Sequence, residues 1–338
     1  MMKTVGEGAY IVSSDYLILL SELAFERGIA ATELWRDSAL PDGLLFQPGV
    51  LVGHESALRV VSRFCELTND LSIALEYGKR MTLSKHGALG YAAQYSATMA
   101  EAADKVTRYV ETRAQIFSLA RGASEHERHL FIEPRFDQRP AGDFLSLAFL
   151  ASIETICRTL IGPVGRDAQS RILTRIQGDF SAQQVLPHCQ VITAAGENSL
   201  NWPADVLVHP LPFFNPQLAG MAEEQLENAL SSLQQSRPVS DKVRRILAGR
   251  LAELPTVDTV SALLCMSAAT LNRKLKAEGT SFQQLKDDLR FQQARQLLSS
   301  ELPVDLVAEQ LGFSDASNFA KAFKAWSGVS PSRFRQQQ

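Results

Sequence analysis

Asn272, Arg273, Lys274 and Lys276 crowd one short stretch of this 338-residue chain, and Asn318, Lys321 and Lys324 crowd a second near its end. Arginine can hold guanine through two parallel hydrogen bonds and asparagine can hold adenine in the same way, while lysine ammonium groups meet phosphates. The chemistry open to these residues is therefore recognition of nucleic acid, the plain alternative being solvated helix faces. Bond-making chemistry finds little support. The sequence has no GxSxG elbow, P-loop or HExxH, and no convincing pair of carboxylates, so an enzyme is not expected. EHERH offers His126 and His129 as an HxxH pair. A third ligand at clear spacing is missing, so a solvated hairpin tip is the expected reading, with no metal and no other cofactor. GEGAY, near the start, lacks the strand-to-helix setting of a nucleotide loop.

The elements that carry the basic residues come in two matched copies. VDTVSALLCMSAATLNRKLKAEG (257–279) aligns with VDLVAEQLGFSDASNFAKAFKAWSG (304–328). Val260 meets Val307, Leu264 meets Leu311 and Met266 meets Phe313; after one extra residue, Leu271 meets Phe319, Arg273 meets Lys321 and Leu275 meets Phe323. Each copy reads as an amphipathic helix, a tight turn and a second helix with a polar, basic outer face, the pattern of a helix-turn-helix. Between them SFQQLKDDLRFQQARQLLSS, with Leu285, Leu289, Ala294, Leu297 and Leu298 on one face, reads as a single helix. About 18 residues at 1.5 Å each span about 27 Å. With turns added, that length suits two recognition helices about 34 Å apart, one turn of DNA.

Ser267, Leu271, Arg273, Leu275 and Lys276, then Arg290, Ala294, Leu297 and Leu298, then Val307-Ala308, Gly312-Phe313, Ser317, Phe319, Lys321, Phe323-Lys324, Gly328 and Ser330-Pro331 form a motif chain that resembles the AraC/XylS family of transcription regulators. The resemblance covers roughly the last hundred residues. It implies that Ala269, Asn272 and Arg273 face the groove from the first recognition helix, and Ala316, Ser317, Asn318 and Lys321 from the second. Lys274, Lys276 and Lys324 would meet phosphates. Cys265 stands where the family often has glycine at the first turn, a departure expected to strain or reshape that turn. Arg290 either pairs with Asp287 or reaches a phosphate, the ion pair being favoured. Arg333 and Arg335 would lie on a tail able to touch the DNA backbone.

The rest of the chain differs in pattern. SDYLILLSELAFERG, HESALRVVSRFCELT and ATMAEAADKVTRYVETR read as helices, the first capped by Ser14 or Asp15 and stopped by Gly28. QIFSLARG, ERHLFIEPRF, CQVITAAG and SLNWPADVLVHP read as strands, with helices expected at about 143–161 and 167–176. The reading is an α+β domain with a small antiparallel sheet, residues 1–235, followed by an all-α DNA-binding domain, 236–338, with the break at the polar QSRPVS. ALGYAAQYSATMAEAADKVTRYV and ENSLNWPADVLVHPLPFFNP resemble the effector-binding domain of the AraC/XylS subgroup that includes the ornithine-utilisation regulator. Helices dominate the first hundred residues, unlike an arabinose-type cupin barrel. The resemblance implies a small-molecule effector in this domain; Tyr91, Tyr95, Phe117, Phe131 and Trp202 are the candidate lining, the alternative being that they simply pack the domain. Helix 218–235 places Leu218, Met221, Leu226, Leu230 and Leu233 at helical spacing, fit either to pair two chains or to pack on the parent domain.

Charge fits the division. The net charge is -3, yet residues 239–338 hold 14 Lys+Arg against 10 Asp+Glu, leaving 20 against 27 in the rest. A basic end on an acidic protein suits a polyanion partner. Four scattered cysteines fit reduced thiols, no signal sequence is expected, and FLSLAFLASIETIC is too broken by polar residues for a membrane span. The expectation is a cytoplasmic, homodimeric regulator of transcription, an activator by family habit, with double-stranded DNA, an effector and RNA polymerase as partners. The alternative is an effector-independent architectural DNA-binding protein.

Overall fold

Ser13, one residue before the expected caps, starts the first long helix: its hydroxyl oxygen accepts from the Asp15 amide at 3.4 Å. Ser14 is buried and spends its own hydroxyl on the Gln47 carbonyl, 2.7 Å away. The computed structural model describes residues 4–5, 10–136, 138–165, 168–178, 180, 182–236, 238–249, 255–299 and 302–336. The chain divides into two units, Met1–Gln234 and Gln235–Gln338.

In the first unit helices α1 (Ser14–Glu26), α2 (Ala31–Leu34), α3 (His54–Thr68), α4 (Ile73–Arg80), α5 (Ala88–Gln94) and α6 (Met99–Tyr109) precede most of the strands. Then come α7 (Ala141–Ile161), α8 (Ala182–Val185) and α9 (Pro216–Ser236). Strands β1 (Thr4–Val5), β2 (Ile11–Ser13) and β3 (Leu51–Gly53) make a small sheet in the order β1-β3-β2. The larger sheet runs β4-β5-β8-β6-β7, from β4 (Phe117–Ala123), β5 (Glu127–Pro134), β6 (Ser170–Leu173), β7 (Cys189–Ile192) and β8 (Ser199–Pro203). It is mixed rather than purely antiparallel, because β6 and β7 run parallel, Ile172 opposite Val191. The helix expected at 167–176 is instead strand β6; of that span, Asp167 lies outside the described residues. Ser170 and Ile172 are fully buried while Arg171 and Leu173 are half-buried, the two-residue alternation of a strand.

Helix α7 is the spine of this unit. Its length and mean hydropathy of 1.6 would suffice for a membrane crossing, contrary to the sequence expectation, but 61% of that stretch is buried inside the unit, so it is a core helix. Phe144, Leu147, Ala148, Leu150 and Ala151 are each no more than 1% exposed. Helix α4 lies so close that a Cβ on Gly78 would sit 2.3 Å from the Ala148 carbonyl oxygen, so only glycine lets the backbones touch. Burial pushes the thiols of Cys65, Cys157 and Cys189 up to about 12, leaving them inert. Helix α9 packs on its own unit: Ala222 and Leu226 join Leu89, Ala92, Tyr109 and Val110, and Leu233 meets Ile11 and Leu51. Glu223 pairs with Lys105 at 2.7 Å, and Glu227 accepts from Tyr109 Oη at 2.5 Å. Leu218 and Met221 stay exposed.

Among the described residues the regular elements of the second unit are all helices: α10 (Val239–Gly249), α11 (Val257–Leu263), α12 (Ala268–Ala277), α13 (Phe282–Ser299), α14 (Val304–Gln310), α15 (Ala316–Ser327) and α16 (Pro331–Gln336). It holds two small cores. Val243, Leu247, Val260, Leu271, Leu275 and Leu285 form the first, and Ala294, Leu298, Val307, Leu311, Phe319 and Phe323 the second. Helix α13 joins them by giving its first half to one and its second half to the other.

Candidate nucleic-acid interface

The two turns are built alike down to single hydrogen bonds. In the first, the Cys265 amide donates to Ala262 O and the Met266 amide to Ser261 O, both at 3.0 Å. In the second, the Gly312 amide donates to Glu309 O and the Phe313 amide to Ala308 O, both at 2.9 Å. This pairing is the Schellman close of a helix, and it needs one residue in the left-handed region. Cys265 takes it with φ 53° and Gly312 with φ 70°. The departure noted in the sequence therefore leaves the turn's shape intact and puts its burden on the Cys265 backbone.

Each second helix is then capped. Ser267 Oγ accepts from the Thr270 amide at 3.2 Å, and Asp315 Oδ1 from the Asn318 amide at 2.7 Å. That bond, first among its partners, holds the Asp315 carboxyl below its ordinary range. Burial fixes the inward side: Leu271 and Leu275 of α12, and Phe319 and Phe323 of α15, are fully buried one turn apart. What remains outward is the polar side. Ala269, Asn272, Arg273, Lys274 and Lys276 are exposed on α12, as are Ser317, Asn318, Lys321 and Lys324 on α15. Ala316 differs, being half-buried against the second core. The Asn318 amide nitrogen donates to Ser314 Oγ at 2.9 Å and Asp315 Oδ2 at 2.8 Å, so its carbonyl oxygen is the end left for other partners.

Several basic residues stand elsewhere than the sequence suggested. Arg290 makes no ion pair with Asp287, which accepts from Gln283 Nε2 at 3.0 and 3.1 Å. The Arg290 guanidinium instead lies 4.7 Å from the Phe313 ring centroid, fastening the connecting helix to the second turn. Desolvation lowers its pKa, partly offset by Asp287. Arg335 donates to the carbonyls of Leu298 and Leu302, closing the end of α13, while Arg333 remains exposed. Sequence reading missed Glu278, whose carboxylate accepts from the amides of Val239 and Ser240, each at 2.7 Å, and so caps α10. No local spacing signals a cap supplied from 38 residues away.

The five aromatics expected to line an effector site stand in different surroundings. Tyr91 is 47% exposed and stacks on Tyr95 with ring centroids 6.4 Å apart. Phe117 is core, 5.0 Å from Phe149, and Phe131 stacks on His129. Trp202 is buried under the Arg158 guanidinium, 5.0 Å from its ring centroid. A cleft in this unit runs between α1, α5, α6 and α7, with Tyr16 and His86 as its polar residues, and none of the five lines it. His129 Nδ1 bonds Asn201 Oδ1 at 2.7 Å, and the exposed His126 faces Glu125; among the described residues no cluster of three or more potential metal ligands occurs.

Two family models match the chain. Residues 260–337 match a helix-turn-helix domain model, and residues 28–211, more than half of the chain, match the model described as the arabinose-binding domain of AraC transcription regulator, N-terminal. The chain is 27% identical to the ornithine utilization regulator of Pseudomonas aeruginosa over 99% of each sequence. It is 26% identical to an uncharacterised HTH-type transcriptional regulator of Mycobacterium tuberculosis over 94% of each. The crystal structure of the transcriptional regulator CdpR from Pseudomonas aeruginosa covers 95% of this chain and 98% of its own, with 20% identity and a TM-score of 0.48.

Proposed function

The chain belongs to the AraC family of transcription regulators, and on that premise we propose that it is an effector-controlled activator whose two helix-turn-helix motifs read successive major grooves of one duplex. The observation that carries this reading is the repeated turn: two identical hydrogen-bond closures, each followed by a capped helix with a buried apolar side and a bare basic one. In this reading Asn272 and Arg273 on α12, and Ser317, Asn318 and Lys321 on α15, meet base edges; Ala269 and the free part of Ala316 touch thymine methyls. Lys274, Lys276 and Lys324 hold phosphates, which fixes register without selecting sequence. The first unit binds a small molecule that biases an equilibrium between DNA-competent and incompetent states. The active species is a cytoplasmic homodimer that recruits RNA polymerase.

The reading is tested by titrating the full chain against duplex DNA selected from a random pool. The double variant Arg273→Ala with Lys321→Ala should bind the selected duplex at least a hundredfold more weakly, with wild-type binding falling steeply as salt rises. Unchanged affinity in that variant would end the proposal. The effector-independent architectural alternative predicts that no small molecule alters melting temperature or DNA affinity.

A further inference from the structure

We infer that the cleft between α1, α5, α6 and α7 is the effector site and that it takes a small uncharged molecule carrying a hydroxyl group, an alcohol or a phenol. The inference rests on the effector-controlled reading above and deepens it.

The walls define the class of ligand. Leu83, Val106, Phe149 and Ile153 line the cleft and are only half-buried, so its walls are apolar and not closed over. No Asp, Glu, Lys or Arg lines it. An amino acid or a carboxylate would shed its hydration there and meet no charged wall, the nearby Arg113 being already paired with Asp15. The polar end consists of Tyr16 and His86, and its hydrogen bonds can be assigned in order. Ser152 Oγ donates to the Met81 carbonyl at 3.2 Å, so it must accept from His86 Nε2, 3.3 Å away. His86 Nδ1 is then the acceptor, and the Tyr16 hydroxyl donates to it at 2.9 Å. The Tyr16 oxygen accepts from the Arg113 guanidinium and keeps one lone pair for an incoming donor. Burial, then the nearby Arg113 charge, lowers His86 to about 4, which keeps the ring neutral at physiological pH and this arrangement fixed. The Arg113 guanidinium, 5.7 Å from the Tyr16 ring centroid, is shared among Asp15, the Lys85 carbonyl and the Tyr16 hydroxyl.

The size of the cleft supplies the coupling. Its cavity volume is about 20 Å³, within about 370 Å³ of empty space that counts the open mouth. That is room for about one water. A ligand of several heavy atoms therefore enters only as the walls part. Leu89, Val106, Val110 and Phe149 belong both to the cleft and to the apolar cluster that holds Ala222, Leu226 and Leu230 of α9. The same helix α6 that supplies Val106 is tied to α9 by Lys105–Glu223. Opening the cleft thus loosens the seat of α9, the helix that leads along the chain into the second unit. A ligand that favours the open form shifts the population towards it.

The test uses the full chain, with phenol, cyclohexanol and 1-butanol as probes, toluene as the comparator without a hydroxyl, and benzoate and ornithine as charged comparators. Binding is followed by saturation-transfer NMR, and affinity for the selected duplex by fluorescence anisotropy. The neutral probes should bind saturably and change duplex affinity at least fivefold. Val106→Phe and Ile153→Phe, which fill the cleft, should each weaken probe binding at least tenfold. Tyr16→Phe should weaken phenol about tenfold while leaving toluene binding unchanged. Equal probe binding in both filled variants, or no binding of any neutral probe, overturns the site. An ornithine response that survives both fillings overturns the site and its ligand class but leaves effector control standing. Probe binding that the fillings abolish, with no change in duplex affinity, supports the cleft's chemistry and overturns effector control instead.

Discussion

Replacing Cys265 by glycine is expected to stabilise the second unit, and the size of the effect follows from the turn itself. Cys265 holds φ 53° at the position where its counterpart Gly312 holds φ 70°. A Cβ in the left-handed region costs roughly 1–2 kcal/mol. Glycine gives back about 0.5–1 kcal/mol through the freedom of its unfolded chain. The thiol is exposed, so removing it opens no cavity. The net gain is about 0.5–1 kcal/mol. Since 1 kcal/mol moves Tm by roughly 4–8 °C in a unit of about a hundred residues, Cys265→Gly should raise that transition by about 2–8 °C. Gly312→Ala is the mirror experiment and should lose about 1 kcal/mol. Differential scanning calorimetry of the full chain reads both, and duplex affinity should survive in Cys265→Gly because the turn keeps its two hydrogen bonds. A Cys265→Gly protein that melts no higher, together with a Gly312→Ala protein that melts no lower, would refute the strained-turn account.

Glu278→Ala should cost about 1 kcal/mol through the lost cap on α10, measured by the same calorimetry. Burial pushes the Glu278 carboxyl up, but bonds from Ser240 and Val239, with Lys274 nearby, hold it below its ordinary value of 4.5. The unfolded chain thus takes up this proton more readily, so the cap's contribution is complete above that value and is lost as pH falls through the depressed one. Glu278→Gln should accordingly flatten the acid limb of unfolding. Gly78→Ala should destabilise the first unit by about 1–3 kcal/mol, since its new methyl meets Ala148 O, and a soluble variant with unchanged Tm would contradict the close crossing of α4 and α7. Lys324→Ala should weaken binding to all duplexes alike and reduce the salt slope by about one, whereas Arg273→Ala should relax choice at one base pair at a loss of about 1–3 kcal/mol; competition titrations separate the two.

What the sequence disclosed was what neighbouring residues decide. Positions 257–279 and 304–328 carry their cores, turns and caps within a few residues of one another, so both helix-turn-helix copies were legible, even to the burden on Cys265. Strand β6 was not. Its four residues, Ser170 to Leu173, suit either period, and they become a strand because β7 and β8 lie alongside. The roles of Arg290 and Arg335 were hidden for a similar reason: the Phe313 ring and the Leu302 carbonyl that claim them come from other elements. Aromatic type alone was a poor guide to the cleft. Tyr16, His86 and Ser152 meet across 70 and 66 residues of chain, and nothing in their local surroundings announces it.

The most direct test of the central claim is the spacing of the bases that one chain reads. The connecting helix α13 has 18 residues, a length of about 27 Å. Duplexes selected by the protein should contain two short subsites per chain with centres about 10–10.5 base pairs apart. Inserting five base pairs between them turns one subsite to the opposite face and should reduce affinity to that of a single subsite; inserting ten should do the same, because α13 cannot lengthen. Affinity that stays constant through both insertions would contradict the account.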